Sequence, residues 1–108
     1  MIRGELWTVA GGAYASKPRP ALIIQDDLFA ATASVTVLPL TGAVIDAPLL
    51  RVRIRPGELS GLTKESDVMI DKATSVRRQN VDARIGRLSA DQLTEVERLL
   101  MVYLGMAR

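Results

Sequence analysis

Apolar and polar residues along this chain fall into short runs, each closed off by glycine, proline or acidic residues. Glu5 to Ala10 (ELWTVA) predicts a first strand, and Gly11-Gly12 through Pro18 a turn-forming loop. Pro20 to Gln25 (PALIIQ) predicts a second strand, opening on a proline where a missing N–H is tolerated. Asp26 to Ala33 reads as a loop or a single helical turn, and Ser34 to Leu40 (SVTVLPL), rich in β-branched residues, as a third strand. The cleanest alternation lies in Pro48 to Arg55 (PLLRVRIR). There Leu50, Val52 and Ile54 share one face, and Arg51, Arg53 and Arg55 the other. Pro56-Gly57 and Gly61 mark turns; Asp67 to Asp71 (DVMID) and Asp82 to Leu88 (DARIGRL) complete the strands.

After Ser89 the period changes. Leu93, Val96, Leu100, Tyr103 and Leu104 recur at helical spacing, Ser89 with Gln92 makes a capping box, and Gly105 is suited to the stop. Five or six short strands followed by one packed helix predict a mainly β domain over residues 1–108. Its sheet should be small, antiparallel and strongly bent, or closed into a barrel.

Composition removes several chemistries. The chain has no cysteine and no histidine, so disulfides, thiolate metal sites and any histidine-based acid–base catalysis are excluded. No apolar run approaches the roughly 18 residues a bilayer requires. Met1-Ile2-Arg3-Gly4 lacks the apolar core of a signal peptide, and a cytoplasmic protein is expected. Fourteen basic residues stand against 12 acidic ones, so the chain is no polycation, but 11 of the 14 are arginine. Arginine's planar fork of donors matches phosphate oxygens better than lysine does.

The residue patterns leave two readings open at each candidate site. Pro18 and Pro20 hold Arg19 between them, so little backbone entropy is lost when its guanidinium meets an anion; the same unit is also an ordinary entry to an edge strand. Thr41, ending PLTG, can donate to an anion or cap the turn. The row Arg51, Arg53 and Arg55 can track phosphates or be a solvated face that discourages edge pairing. Arg77, Arg78, Arg84 and Arg87 add charge on faces that sequence cannot assign. Asp71 can pair with Lys72 or accept from a base edge, and Trp7 reads as core or as a stacking platform.

In combination these pieces have a recognisable order. Arg3-Gly4-Glu5-Leu6-Trp7, then Arg19-Pro20, Pro39-Leu40-Thr41, Asp67 to Lys72 and the closing IGRLSADQLTEVERLLMVYLG run through the chain in sequence. Along almost its whole length the chain resembles the MazF/PemK/Kid toxins of bacterial toxin–antitoxin systems. The resemblance implies a small SH3-like (CcdB/PemK-like) barrel with a C-terminal helix and a homodimer. It also implies a metal- and cofactor-independent endoribonuclease that cuts single-stranded RNA at short sequences. Arg19 and Thr41 match the catalytic arginine and threonine, and Asp71, Lys72, Lys17, Arg51 and Arg53 are the expected RNA-binding residues. A cognate antitoxin with a disordered acidic tail is the implied partner.

The chain departs from its relatives in two places. GGAYASKP replaces a longer loop that often carries a glutamate, leaving Tyr14 or Ser16 in that region. Asp71-Lys72-Ala73-Thr74-Ser75 stands where relatives often read Asp-Gln-Ile-Arg-Thr, and Met69 occupies the position of an arginine that one branch uses as catalytic acid. Arginine is a poor base, so Asp71, water and the substrate phosphate are the candidates for that role. Two rival readings follow: a relative that binds RNA or antitoxin without cutting, and a CcdB-like gyrase-binding toxin. The latter is disfavoured because Gly105-Met106-Ala107-Arg108 replaces its terminal Trp-Gly-Ile.

Overall fold

A computed structural model describes residues 1–11 and 15–107, with backbone alone at residues 15 and 16; the expectations for Gly12, Tyr14 and the Ser16 side chain lie outside this set. The described strands are β1 (Glu5–Gly11), β2 (Ala15–Ile23), β3 (Ser34–Thr41), β4 (Arg51–Ile54), β5 (Ser66–Met69), β6 (Thr74–Arg77) and β7 (Val81–Arg87), followed by α1 (Ala90–Tyr103). They form one sheet in the order β4-β5-β3-β2-β1-β7, with β6 also paired to β3. Every pairing is antiparallel. Among the described residues no ladder joins β4 to β7, so the sheet is bent but open.

Both faces of the central strands are covered, which is why ALII is apolar at every position. Leu6, Leu22, Leu38, Leu40, Ile54, Val68 and Ile70 pack on one side with Val96 and Leu99 of α1. On the other side lie Val9, Ala21, Ile23, Val35, Val37 and Val76, with half-buried Trp7 and Val81 against them. Successive strand residues point to opposite faces, so the odd-numbered residues of β2 and β3 serve the second cluster.

The opening RGELW stretch fastens these layers. Arg3 donates Nε–H to the Ile24 carbonyl (3.0 Å) and pairs through Nη2 with Glu97 of α1 (2.6 Å). Glu5 accepts from the Ile2 N–H, from Trp7 Nε1 and from Arg84 Nε. Burial raises the Glu5 pKa, but these donors outweigh it and the carboxyl sits below its ordinary value. At the far end of the sheet the chain passes very close to itself. A Cβ on Gly86 would lie 2.3 Å from the Ser60 carbonyl oxygen, so only glycine lets β7 cross the 57–61 turn there.

The helix matches the expectation at both ends. Ser89 Oγ accepts from the Gln92 N–H while Gln92 accepts from the Ser89 N–H, and Gly105 takes φ +74° just beyond the end. The buried stripe differs: Leu99 is fully buried, whereas Tyr103 and Leu104 are about half exposed. Several strand boundaries also move: β5 stops at Met69, and Ile70–Lys72 forms a 3₁₀ turn where the strand was expected to run on to Asp71. β2 begins before both prolines rather than at Pro20, and β4 is confined to Arg51–Ile54 because 47–50 turns, with Arg51 N–H bonding the Ala47 carbonyl. β6 was not expected at all.

Candidate active site

The register of β2 and β3 decides what comes together. Ile24 donates its N–H to Thr36 O, and Leu22 faces Leu38, so even-numbered residues of β2 turn their backbone polar groups toward β3. The next rungs in the same register would set Pro20 against Leu40 and Arg19 against Thr41. They do not form. Pro20 has no N–H to give, while on its other edge β3 runs on, pairing Leu40 with Val68 and Thr41 with Asp67. The two strands therefore fork, with Arg19 on one prong and Thr41 on the other. Both sit on the face that carries Ala21, Ile23, Val35 and Val37.

The fork opens a cleft of about 430 Å³, within the roughly 300–1,000 Å³ range of small-molecule sites. Arg19 lines it from β2, Pro39, Leu40 and Thr41 line it from β3, and Met69 at the end of β5, Lys72 in the joining segment and Thr74 at the start of β6 complete it. Among the described residues the exposed Arg19 guanidinium has no hydrogen bond or ion pair. It is free to meet an anion, held through the backbone by its register opposite Val9 of β1. Thr41 serves both purposes that its sequence position allows. Its Oγ1 accepts the Ala43 N–H (3.1 Å), which caps the turn and leaves the hydroxyl hydrogen to donate.

Of the other expected site residues, Lys72 lines the cleft, with Nζ 3.8 Å from Asp71 Oδ2. Asp71 is half-buried and is not among the described residues that line it; among those residues its buried Oδ1 has no hydrogen-bond partner. Lys17 is exposed two residues before Arg19 on the same strand face.

Arg51 and Arg53 lie elsewhere. Both turn to Asp67, which is fully buried in β5: Arg53 Nε at 2.5 Å and Arg51 Nη1 at 3.4 Å. Burial alone would raise the Asp67 pKa. Hydrogen bonds from Arg53 and from the Ile45 N–H, with the charges of both arginines, more than offset this and hold it below its ordinary value. The same arginines reach the loop after Thr41, Arg51 Nη1 to Ala43 O and Arg53 Nη2 to Ile45 O. Arg51 and Arg53 thus clamp the loop after Thr41 to Asp67. Nothing in the local sequence signals this, because Asp67 is distant in the chain.

Sequence reasoning also passes over Lys64. Its side chain lies across Gly42, so that a Cβ there would be 2.3 Å from Lys64 Cε. A lone lysine in LTKES carries no pattern, and only the folded approach of the 62–66 segment to Gly42 reveals it. Among the described residues no group of three or more acidic or other ligating side chains could hold a metal ion.

Comparison with known proteins agrees with this architecture. Residues 2–104 match the family described as PemK-like, MazF-like toxin of type II toxin-antitoxin system. A curated relative, the probable endoribonuclease MazF of Mycolicibacterium smegmatis, is 53% identical over 108 residues, covering 99% of each chain. Among solved structures, a mycobacterial endoribonuclease in complex with its cognate antitoxin superposes with a TM-score of 0.82 at 20% identity, covering 100% of this chain and 98% of that one. The MazE–MazF complex of Deinococcus radiodurans gives 0.80 at 25% identity, covering 99% of this chain and 97% of that one. The fork of β2 and β3, with its arginine and threonine, is thus carried on the fold of a known toxin family, and this chain belongs to the PemK-like, MazF-like toxins of type II toxin–antitoxin systems.

Proposed function

We propose that this MazF-family endoribonuclease toxin cuts single-stranded RNA in the cleft between Arg19 and Thr41, sequence-specifically and without a metal. The ribose 2′-oxygen bonds to the adjacent phosphorus as the bond from phosphorus to the 5′-oxygen breaks, leaving a 2′,3′-cyclic phosphate and a 5′-hydroxyl. No carboxylate lines the cleft among the described residues. The 2′-hydroxyl proton therefore passes to water or a phosphate oxygen, and water protonates the departing 5′-oxygen. The five-coordinate phosphorane gathers negative charge on its equatorial oxygens. An unpaired guanidinium and a hydroxyl hydrogen aimed at them stabilise that charge more than they stabilise the ground state. Lys72 adds a cation on the same cleft, and Lys17 extends positive charge along β2.

The observation that supports this reading is the meeting of Arg19 and Thr41 across one open cleft. Its test is incubation of the wild-type protein and Arg19→Gln with mixed single-stranded RNA, in EDTA. The wild type should give discrete cuts with 5′-hydroxyl ends and leave DNA, which lacks the 2′-hydroxyl, intact. Arg19→Gln should be at least about 100-fold slower. A folded Arg19→Gln protein cutting at the wild-type rate sinks the assignment, and no cutting by the wild type at high concentration favours the non-cleaving relative.

The toxin acts in the cytoplasm, where it forms a homodimer. The exposed Met101, Val102, Leu104 and Met106 at the end of α1 supply apolar surface for such contacts. A cognate antitoxin with an acidic disordered tail neutralises it by folding over the cationic cleft.

A further inference from the structure

The fork between β2 and β3 opens on a second side as well. There a separate hollow of about 230 Å³ is lined by Arg19, Leu40, Gly42, Leu62 and Lys64 among others, so Arg19 and Leu40 form the wall between two pockets. The second pocket is too small for a whole nucleotide plus its neighbour but has the mixed character of a base or sugar site: Pro20, Leu40 and Leu62 give apolar surface, and Thr63 and Ser66 give hydroxyls. Besides the shared Arg19, its cation is Lys64. Among the described residues that ammonium makes no ion pair, although Glu65 is adjacent in sequence; Glu65 pairs with Arg53 instead. Gly42, next to Thr41, has no side chain, and this bare backbone is what lets the Lys64 stem lie across the strand end toward the fork.

We infer that this second pocket is a substrate subsite: it holds the nucleotide next to the cut bond, on the side of Arg19 away from Lys72, with Lys64 on that nucleotide's phosphate. The inference rests on the cleft at Arg19 and Thr41 being the cutting site. With it, a strand of RNA threads the fork from one face of the sheet to the other. Lys72 and Lys64 then meet successive phosphates on either side of the one that Arg19 attends. A cation that contacts a flanking phosphate equally in the ground and transition states contributes to binding rather than to the chemical step.

The experiment uses a cleavable RNA mapped with the wild-type protein. Lys64→Gln should weaken RNA binding about tenfold, with the loss carried mainly by KM. It should also reduce the slope of log affinity against log salt by about 0.7, the share of one single-strand phosphate. Replacing one phosphate beside the cut with an uncharged methylphosphonate should cost the wild type the same factor, and cost Lys64→Gln nothing further at that position. Gly42→Ala, which evicts the flexible Lys64 terminus without touching its charge, should reproduce the loss and add nothing to Lys64→Gln. An unchanged KM and salt slope in Lys64→Gln, or methylphosphonate losses that simply add to it, overturn the subsite. Failure of the wild type to cut any RNA, or full activity in Arg19→Gln, overturns the underlying assignment instead, so the two failures are distinct.

Discussion

Asp67→Asn is the most demanding single change that the structure suggests. The Asp67 carboxylate is fully buried, yet it anchors two arginines and the Ile45 N–H. An asparagine keeps the shape and loses the charge, leaving Arg51 and Arg53 to face a neutral amide. Breaking a buried pair in this way costs about 3–5 kcal/mol. The lower end applies here, because Arg53 is 40% exposed and recovers hydration when released. A loss of about 3 kcal/mol corresponds to a fall in Tm of roughly 10–15 °C for a domain of this size. The effect should also depend on pH in a definite direction. A carboxyl whose folded pKa is depressed stabilises the fold above its unfolded pKa of about 3.9, and that stability is lost as pH falls through the folded value. Urea melts at pH 7 and pH 2.5 should therefore show a large gap between wild type and Asp67→Asn at neutral pH and a smaller one in acid. Other depressed carboxyls, such as Glu5, are present in both proteins and cancel in the difference. An equal gap at both pH values, or one below about 1 kcal/mol at pH 7, refutes the idea that the charge holds this loop.

Two further outcomes follow from the same geometry. Thr41→Val should slow single-turnover cleavage by about 10²–10³ through loss of one donor to the transition state, while Thr41→Ser, which keeps the hydroxyl, stays within about tenfold; equal rates for Val and Ser would remove the hydroxyl from the mechanism. Gly86→Ala should destabilise the fold by about 3 kcal/mol or more in a denaturant melt, because the new methyl meets two backbone carbonyl oxygens at 2.3–2.4 Å that cannot rotate away; a loss under 1 kcal/mol would show that the 57–61 turn yields easily.

What the sequence disclosed was mostly local. Ser89, Gln92 and Gly105 act within one helical turn of themselves, so the ends of α1 were legible. Its buried face was less so: the last turn leaves Tyr103 and Leu104 about half exposed, while Leu99 is fully buried. β6 (TSVR) has one buried side chain and no visible alternation; it is a strand because Ser34–Val37 of β3 offers it a free edge. Pro18 read as the end of a loop and Pro20 as the start of a strand, and pairing with β1 carries β2 back through both. The arginine row was visible, but its partner was not, since burial of Asp67 is a property of the fold. Arg19 and Thr41 stood out from the residues as candidates for an anion, and family resemblance gave them their catalytic role. Their meeting depends on strand register, which residue patterns alone do not supply.

The fork itself has a consequence for control. It exists because an imino acid cannot complete a rung, and no rearrangement of loops can restore a hydrogen that covalent chemistry has left out. Under the proposed assignment the cutting site lies in that gap, and a molecule that fills the gap from outside is then the direct way to restrain it.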